Sequence, residues 1–154
     1  MPAEPAWVPG SLKRRFDGEQ TSGTHGYYGV VEQALWRRRA SQGGKENQLA
    51  LFLQMGTGDG HENPYTRHLG GGVVMDAPIP ARPGDTAGIS VSRVHFSDDP
   101  DCGFGNKAEL AVETYYKITL VGSLSLVPDL QYFRNPDGSS DNYVVFTPRI
   151  VIAF

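Results

Sequence analysis

Polar side chains that can donate or accept hydrogen bonds recur at odd-numbered positions in the second half of this sequence. They supply donors and acceptors of hydrogen bonds, and a Tyr ring adds an apolar face for C–H groups. The candidate contact residues are Glu109, Glu113, Tyr115, Lys117, Asp129, Gln131 and Arg149. Acid–base cleavage of a glycoside needs two carboxylates at a defined separation across a cleft, which a spacing along one segment does not provide. The sequence therefore makes no positive case for an enzyme.

Metal, cofactor and nucleic-acid sites find no support in the sequence. The four histidines lack the close spacing of metal ligands: His25, His61, His68 and His95. The single cysteine, Cys102, can form neither an internal disulfide nor a thiol metal site. The glycine-rich run at 56–60 is not followed by the Lys-Ser/Thr of a phosphate-binding loop. A net charge of -3 provides no basic field for nucleic acid. We expect no metal, no cofactor and no nucleic-acid partner.

The candidate residues lie on segments with the period of a β-strand. Between residues 107 and 120, apolar side chains occupy the even positions from Leu110 to Leu120, and the charges occupy the odd ones. A period of two places these sets on opposite faces of a strand. Seven such strands are predicted: Gly26 to Arg38, Asn47 to Gly56, Arg67 to Asp76, Asp85 to Phe96, Lys107 to Leu120, Leu124 to Phe133 and Asn142 to Phe154. The fold class is therefore all-β.

Two all-β architectures fit this alternation. A soluble β-sandwich that binds a glycan or a protein would bury the apolar faces as a core. A transmembrane β-barrel would turn them to lipid, and strands of about ten residues have the length that a tilted membrane strand needs. The tight link at 121–123 alternates with polar loops, as in outer-membrane barrels, but the turn-side links at 39–46 and 77–84 are longer than the short turns of such barrels. The apolar face of the last strand continues to Phe154. These features favour the barrel, and the sandwich remains the alternative.

Several motifs resemble those of a known family. The segment 108–136 reads AELAVETYYKITLVGSLSLVPDLQYFRNP, and 26–37 reads GYYGVVEQALWR. Both are similar to strands of the carbohydrate-selective porins, the OprB-like family, and 80–85 (PARPGD) resembles a turn of that family. The matching residues in the first segment are Glu113, Tyr115, Tyr116, Pro128, Asp129, Leu130, Gln131, Tyr132, Asn135 and Pro136. Ala81 departs from the family's glycine, and Thr147-Pro148-Arg149 stands where Gly-Leu-Arg is usual.

The resemblance implies an antiparallel transmembrane β-barrel of porin type, with about sixteen strands in the whole protein. Residues 26–154 would supply about seven C-terminal strands as a partial barrel, after a loop or linker at 1–25. Because Met1 to Gly10 lacks the pattern of a signal peptide, we expect the chain to be part of a longer precursor, and a truncated reading frame is the alternative. The expected partners are sugars as transported solutes, outer-membrane lipid, and the missing N-terminal half or further copies of the chain. The expected location is the outer membrane of a Gram-negative bacterium.

The side chains on the polar faces would then line the pore. In the first strand Glu32 and Gln33 have opposite parity, and a charge is costlier in lipid than an amide, so Glu32 joins the seven candidates above. The same charges could instead pair across strands to brace the wall. Pro148 predicts a bulge or a weakly paired position, and the shift of apolar parity after Val91 predicts a bulge near Ser92. Tyr116 and Tyr132 fall on the lipid face.

Overall fold

The computed structural model describes residues 23–38, 47–60 and 63–153, and its strands form one antiparallel sheet. The strands are β1 (Gly26–Arg38), β2 (Asn47–Gly58), β3 (Tyr65–Asp76), β4 (Thr86–Phe96), β5 (Ala108–Val121), β6 (Leu124–Val127), β7 (Asp129–Arg134), β8 (Asn142–Phe146) and β9 (Arg149–Ile152). Two short 3-10 turns, Pro100–Cys102 and Pro136–Gly138, lie in loops. No helix in these described ranges is long and apolar enough to cross a membrane. The prediction of an all-β, antiparallel fold is confirmed.

The nine strands make seven spans of the sheet, because two predicted strands are each divided at a proline. Pro128 separates β6 from β7, and Pro148 separates β8 from β9. Leu130 pairs with Phe146 and Val127 with Arg149, so the register places the two prolines opposite each other. The register itself continues unbroken across them. The predicted irregularity at Pro148 is confirmed, whereas the continuity predicted for the sixth and seventh strands is wrong.

Pairing across the sheet separates a polar face from an apolar face. One row of directly paired residues runs through all seven spans, and its members are Glu32, Phe52, Gly72, Ser90, Glu113, Gln131 and Val145. The opposite face carries large apolar side chains that are exposed: Leu53, Met55, Leu69, Ile89, Val91, Leu130, Phe146 and Ile150. Within the described part of the chain no second sheet covers them. The β-sandwich alternative is therefore wrong.

The connections at the two ends of the sheet differ in polarity, and the shortest of them is a two-residue turn. The loop end carries the segments 59–64, 97–107 and 135–141, and the turn end carries 77–85 and 122–123. The tight turn uses Gly122, whose φ of 55° is in the left-handed region that glycine adopts without strain. The two-residue turn agrees with the alternation predicted from the sequence. The connection at 77–85 is longer than the loop at 135–141, and the predicted link at 39–46 lies outside the described residues.

The pairing register shifts at three places, and none is at Ser92. The register shifts between Ala34 and Trp36, between Tyr65 and Arg67, and between Thr119 and Val121. The pairing of β4 with β5 is continuous from Thr86 to His95. The predicted bulge near Ser92 is wrong, and Phe96, at the end of β4, instead packs against a loop on the polar face. Phe96 stacks on Phe104 there, with ring centroids 4.3 Å apart.

The sheet remains open along two edges. β1 forms one edge, and the span made of β8 and β9 forms the other. The structure is thus a partial barrel wall. The predicted segment 1–25 lies almost wholly outside the described residues, as does Phe154.

Candidate functional site

Three of the predicted contact residues meet on the polar face in an ionic cluster. An Nη atom of Arg149 lies 2.5 Å from Oδ2 of Asp129 and 4.0 Å from Oε1 of Glu113. The side chain of Asp129 is 1% exposed, against 50% for Arg149 and 38% for Glu113. The buried carboxylate of Asp129 therefore pairs with the guanidinium of Arg149 at the surface of the sheet. Arg149 and Glu113 are both partly exposed on the polar face.

The strand register explains why these residues meet. Asp129 pairs with Tyr115 on one side, and Glu113 pairs with Gln131. Arg149 pairs with Val127, so Asp129 is its diagonal neighbour across the strands. Diagonal neighbours are within reach of a long side chain such as Arg. The cluster thus spans the two opposed prolines, with Glu113 and Asp129 on their loop side and Arg149 on their turn side.

The other five predicted residues lie outside this cluster, some beside it and some farther along the polar face. Tyr115 and Gln131 flank it directly through their pairing with Asp129 and Glu113. Lys117 lies nearer the turn end, opposite Thr86. Glu109 lies nearer the loop end, where its Oε2 accepts a hydrogen bond of 3.0 Å from the backbone N–H of Asp137. Glu32 is on the same face but at the far edge, on β1. All eight share the polar face, and three of them are in ionic contact.

The polar face also has features that the sequence analysis did not single out. Two aromatic rings cover glycines of the adjacent strands: a Cβ added at Gly88 would lie 2.4 Å from the ring of Tyr115, and one at Gly72 would lie 2.8 Å from the ring of Phe52. Tyr115 is therefore held flat against the wall. The signal for this arrangement is a glycine directly opposite an aromatic residue, and it becomes visible only once the register is known.

The described residues include no group of three or more His, Cys, Asp or Glu side chains arranged to hold a metal ion. The cluster is an ion pair with a second carboxylate, so its chemistry is hydrogen bonding. Arg149 donates, and Glu113 accepts. Such a set matches the hydroxyl groups of an uncharged solute.

A model of the carbohydrate-selective porin family, OprB, matches residues 7–154. The chain belongs to this family. Porin B of Pseudomonas aeruginosa is a relative with 26% identity over 159 aligned residues, which span 90% of this chain and 34% of that protein. The chain therefore spans about a third of the length of this relative.

A solved structure supports the fold of this porin chain. The high-pH structure of Pseudomonas putida OprB superposes on this chain with a TM-score of 0.75 and 24% sequence identity. The superposed region spans 87% of this chain and 36% of the OprB chain. That similarity shows that this chain has the fold of part of a porin barrel. Together with the family match it confirms the predicted partial barrel. Membership of the porin family confirms the predicted location in the outer membrane of a Gram-negative bacterium.

The family-like turn of this porin, 80–85, ties β3–β4 to the end of β5. Asp85 is 2% exposed and pairs with Arg82. Its carboxylate accepts hydrogen bonds from the Tyr116 hydroxyl at 2.9 Å and from the Thr119 N–H at 2.9 Å. The hydrogen bond from Arg82 is the main cause that lowers the pKa of Asp85 to about 2. Tyr116 lies on the apolar face with its hydroxyl at the turn, as an interfacial aromatic would.

Proposed function

We propose that the protein passes carbohydrates across the outer membrane by passive diffusion, and that the polar face of this chain forms part of the pore wall. The observation that carries the proposal is the ionic cluster of Glu113, Asp129 and Arg149 on the face opposite an exposed apolar surface. A charged cluster facing lipid would be costly, whereas facing water it offers hydrogen bonds. Membership of the carbohydrate-selective porin family supports the same solute class.

The cluster would act by exchanging hydrogen bonds with a passing sugar. Burial of Asp129 fixes the guanidinium of Arg149, so the guanidinium loses little freedom when it donates to a hydroxyl. Glu113 would accept from a neighbouring hydroxyl, and Tyr115 and Gln131 would extend the contact along the wall. Each bond replaces one that the sugar made with water, so the net binding is weak. Weak binding is what a channel requires, because a tightly held solute stops flux. Glu109, Lys117 and Glu32 would line the pore farther from the cluster.

The chain would act with two kinds of partner. Its exposed apolar face suits outer-membrane lipid, and its two open edges require further strands, supplied by the rest of the precursor or by other copies of the chain. The relatives are porins, and we propose no catalytic role for this chain.

Sugar flux into liposomes tests the proposal. The full-length protein should admit glucose and should admit gluconate, an anion of similar size, more slowly, because the cluster of two carboxylates and one guanidinium carries net negative charge. Glu113→Gln should reduce the preference for glucose over gluconate. Glu109→Gln, farther along the same strand face, is the matched control and should reduce that preference less. Liposomes that contain folded protein and admit no more glucose than empty ones would refute the proposed function.

A further inference from the structure

The loop end of the polar face contains a β-bulge that turns an aromatic side chain toward the pore side. Tyr65 pairs with Phe96 and Arg67 pairs with His95, so Thr66 is an extra residue on β3. The Thr66 hydroxyl donates to the carbonyl of His95 or Phe96, at 3.2 and 3.3 Å, and this fixes the bulge. Bulges re-aim side chains at the ends of strands. Here Tyr65 shares the face of Phe96, which is the polar face.

An aromatic stack supports Tyr65 from behind. Its ring lies 5.9 Å from that of Phe96, and Phe96 stacks on Phe104 of the 97–107 loop. Phe96 is buried, whereas Tyr65 is 51% exposed. The outermost ring of the stack is therefore held in place and still presents a surface to solvent. A rigid, accessible ring offers contact area at low entropic cost.

A cleft of about 370 Å³ opens beside this ring. Its floor includes Gly56, and a Cβ added there would approach nothing closer than the Tyr27 carbonyl at 3.7 Å. Its rim includes His68, which pairs with Gly56, and Asn63, whose amide donates to the Thr24 hydroxyl at 2.8 Å. The volume is in the range of small-molecule sites. The cleft thus combines an aromatic wall, a small floor and hydrogen-bonding side chains.

We propose that this cleft is a sugar-capture site at the loop end of the pore, separate from the ionic cluster. An aromatic face for the C–H side of a pyranose ring, with polar groups at its rim for the hydroxyls, is the chemistry that a monosaccharide requires. The site is on β1–β3, whereas the ionic cluster is on β5, β7 and β9. The inference rests on the proposed function, because it names a second place where the same solute class is held.

Glucose block of the ion current through the full-length protein in planar bilayers tests the site. Tyr65→Ala removes the platform, Tyr65→Phe retains the ring, and Gly56→Ala fills the floor without displacing backbone. Tyr143→Ala is the matched control, because Tyr143 is 50% exposed and pairs with Phe133 four spans away. We expect Tyr65→Ala and Gly56→Ala to raise the half-blocking glucose concentration about fivefold, with Tyr65→Phe and Tyr143→Ala within about twofold. Conductance in salt alone should stay at the wild-type value in all four.

The possible results separate this inference from the proposed function. Wild-type channels that conduct ions but show neither glucose block nor glucose flux would overturn both. If the wild type is blocked by glucose and the Tyr65→Ala and Gly56→Ala variants are blocked equally well, the capture site alone is overturned. Glucose block that is weakened equally in Tyr143→Ala would also overturn the capture site, because loss of any exposed Tyr would then have the same effect. If Tyr65→Ala does not fold, Gly56→Ala decides the question.

Discussion

At the scale of single residues, the buried carboxylate of Asp129 determines the geometry of the ionic cluster. A charge that is 1% exposed is stable only with a counter-charge in contact, and Arg149 is that counter-charge. Removal of one partner of a buried pair leaves the other uncompensated and is costly, whereas an exposed pair contributes little. The chain contains both kinds: in the ion pair of Lys107 with Asp98, 3.0 Å long, the side chains are 84% and 80% exposed.

A double-mutant cycle on Asp129 and Arg149 should measure a coupling free energy of about 1–2 kcal/mol, below the value for a fully buried pair because Arg149 is half exposed. The variants are Asp129→Asn, Arg149→Gln and the double replacement in the full-length protein. The measurement is urea-induced unfolding in lipid vesicles. Arg149→Gln alone should be the most destabilised of the three, because it leaves the Asp129 carboxylate without its counter-charge.

The matching cycle on Asp98 and Lys107 provides the control. Its coupling should be below about 0.5 kcal/mol, as for exposed pairs in general. Equal coupling in the two cycles would show that the burial of Asp129 has no energetic consequence.

At the scale of elements, several hydrogen bonds join the turn at 77–85 to β5, and the carboxylate of Asp85 accepts two of them. Asp85 pairs with Arg82 within the turn and accepts from Tyr116 and Thr119 on the strand. The Thr119 hydroxyl also donates to the Gly84 carbonyl at 2.6 Å. The family-like PARPGD motif indicated the turn, but it did not indicate that Asp85 would bond to a strand more than thirty positions away. That contact depends on the register of β4 with β5.

The link between this turn and β5 should weaken in acid. The folded-state pKa of Asp85 is lowered to about 2 from an ordinary value of 3.8, chiefly by its hydrogen bond from Arg82. A lowered pKa means that the stabilisation is fully present above about pH 4 and is lost as the pH falls through about 2. Hydrogen exchange at the Thr119 amide, corrected for its intrinsic rate, should accelerate over that interval.

Asp85→Asn is the control for this titration. The variant should exchange faster at Thr119 at neutral pH and should lose the acid-dependent change, while the Val112 amide, in the middle of β5, behaves alike in both proteins. Acid dependence at Thr119 that persists in Asp85→Asn would assign the titration to another group.

The strands show which parts of the fold follow from the sequence and which do not. Alternation predicted the seven spans and their faces, because each side chain in the middle of a strand meets either lipid or water. The same rule failed at the end of β4, where Phe96 faces the pore side and packs on Phe104. Prolines 128 and 148 could be suspected individually as breaks, but their position opposite each other is a property of strand pairing.

The residues of the ionic cluster could be predicted from the sequence, but the contacts between them could not. Parity placed Glu113, Asp129 and Arg149 on one face, and all three are among the candidates. Parity does not tell which candidates touch, since that depends on the register between three spans. For the same reason the capture cleft was missed: Tyr65 and His68 have opposite parity, and only the bulge at Thr66 brings them to one face.

At the scale of the whole molecule, the open edges decide what the chain can do alone. Thr147 donates its N–H inward to the Asp129 carbonyl at 2.8 Å, so the nitrogen of Pro148, one residue on, points to the open edge. A proline is tolerated at this position because its nitrogen, which has no hydrogen to donate, faces away from the paired strand. The other polar groups of the edge remain, and β1 presents a second such row. In hydrocarbon each unpaired group costs several kcal/mol.

We therefore expect the 154-residue chain by itself not to form a closed monomer in a membrane environment. Refolded in detergent micelles, it should assemble into multimers or stay unfolded, because only pairing between edges satisfies the backbone groups of β1 and of β8–β9. Native mass spectrometry gives the number of copies, and the mobility of unheated samples in SDS gels reports on closure. The full-length protein, prepared identically, should show the heat-sensitive mobility of a closed barrel. A folded, heat-sensitive monomer of the 154-residue chain would contradict the argument, since seven spans would then satisfy both edges without a partner.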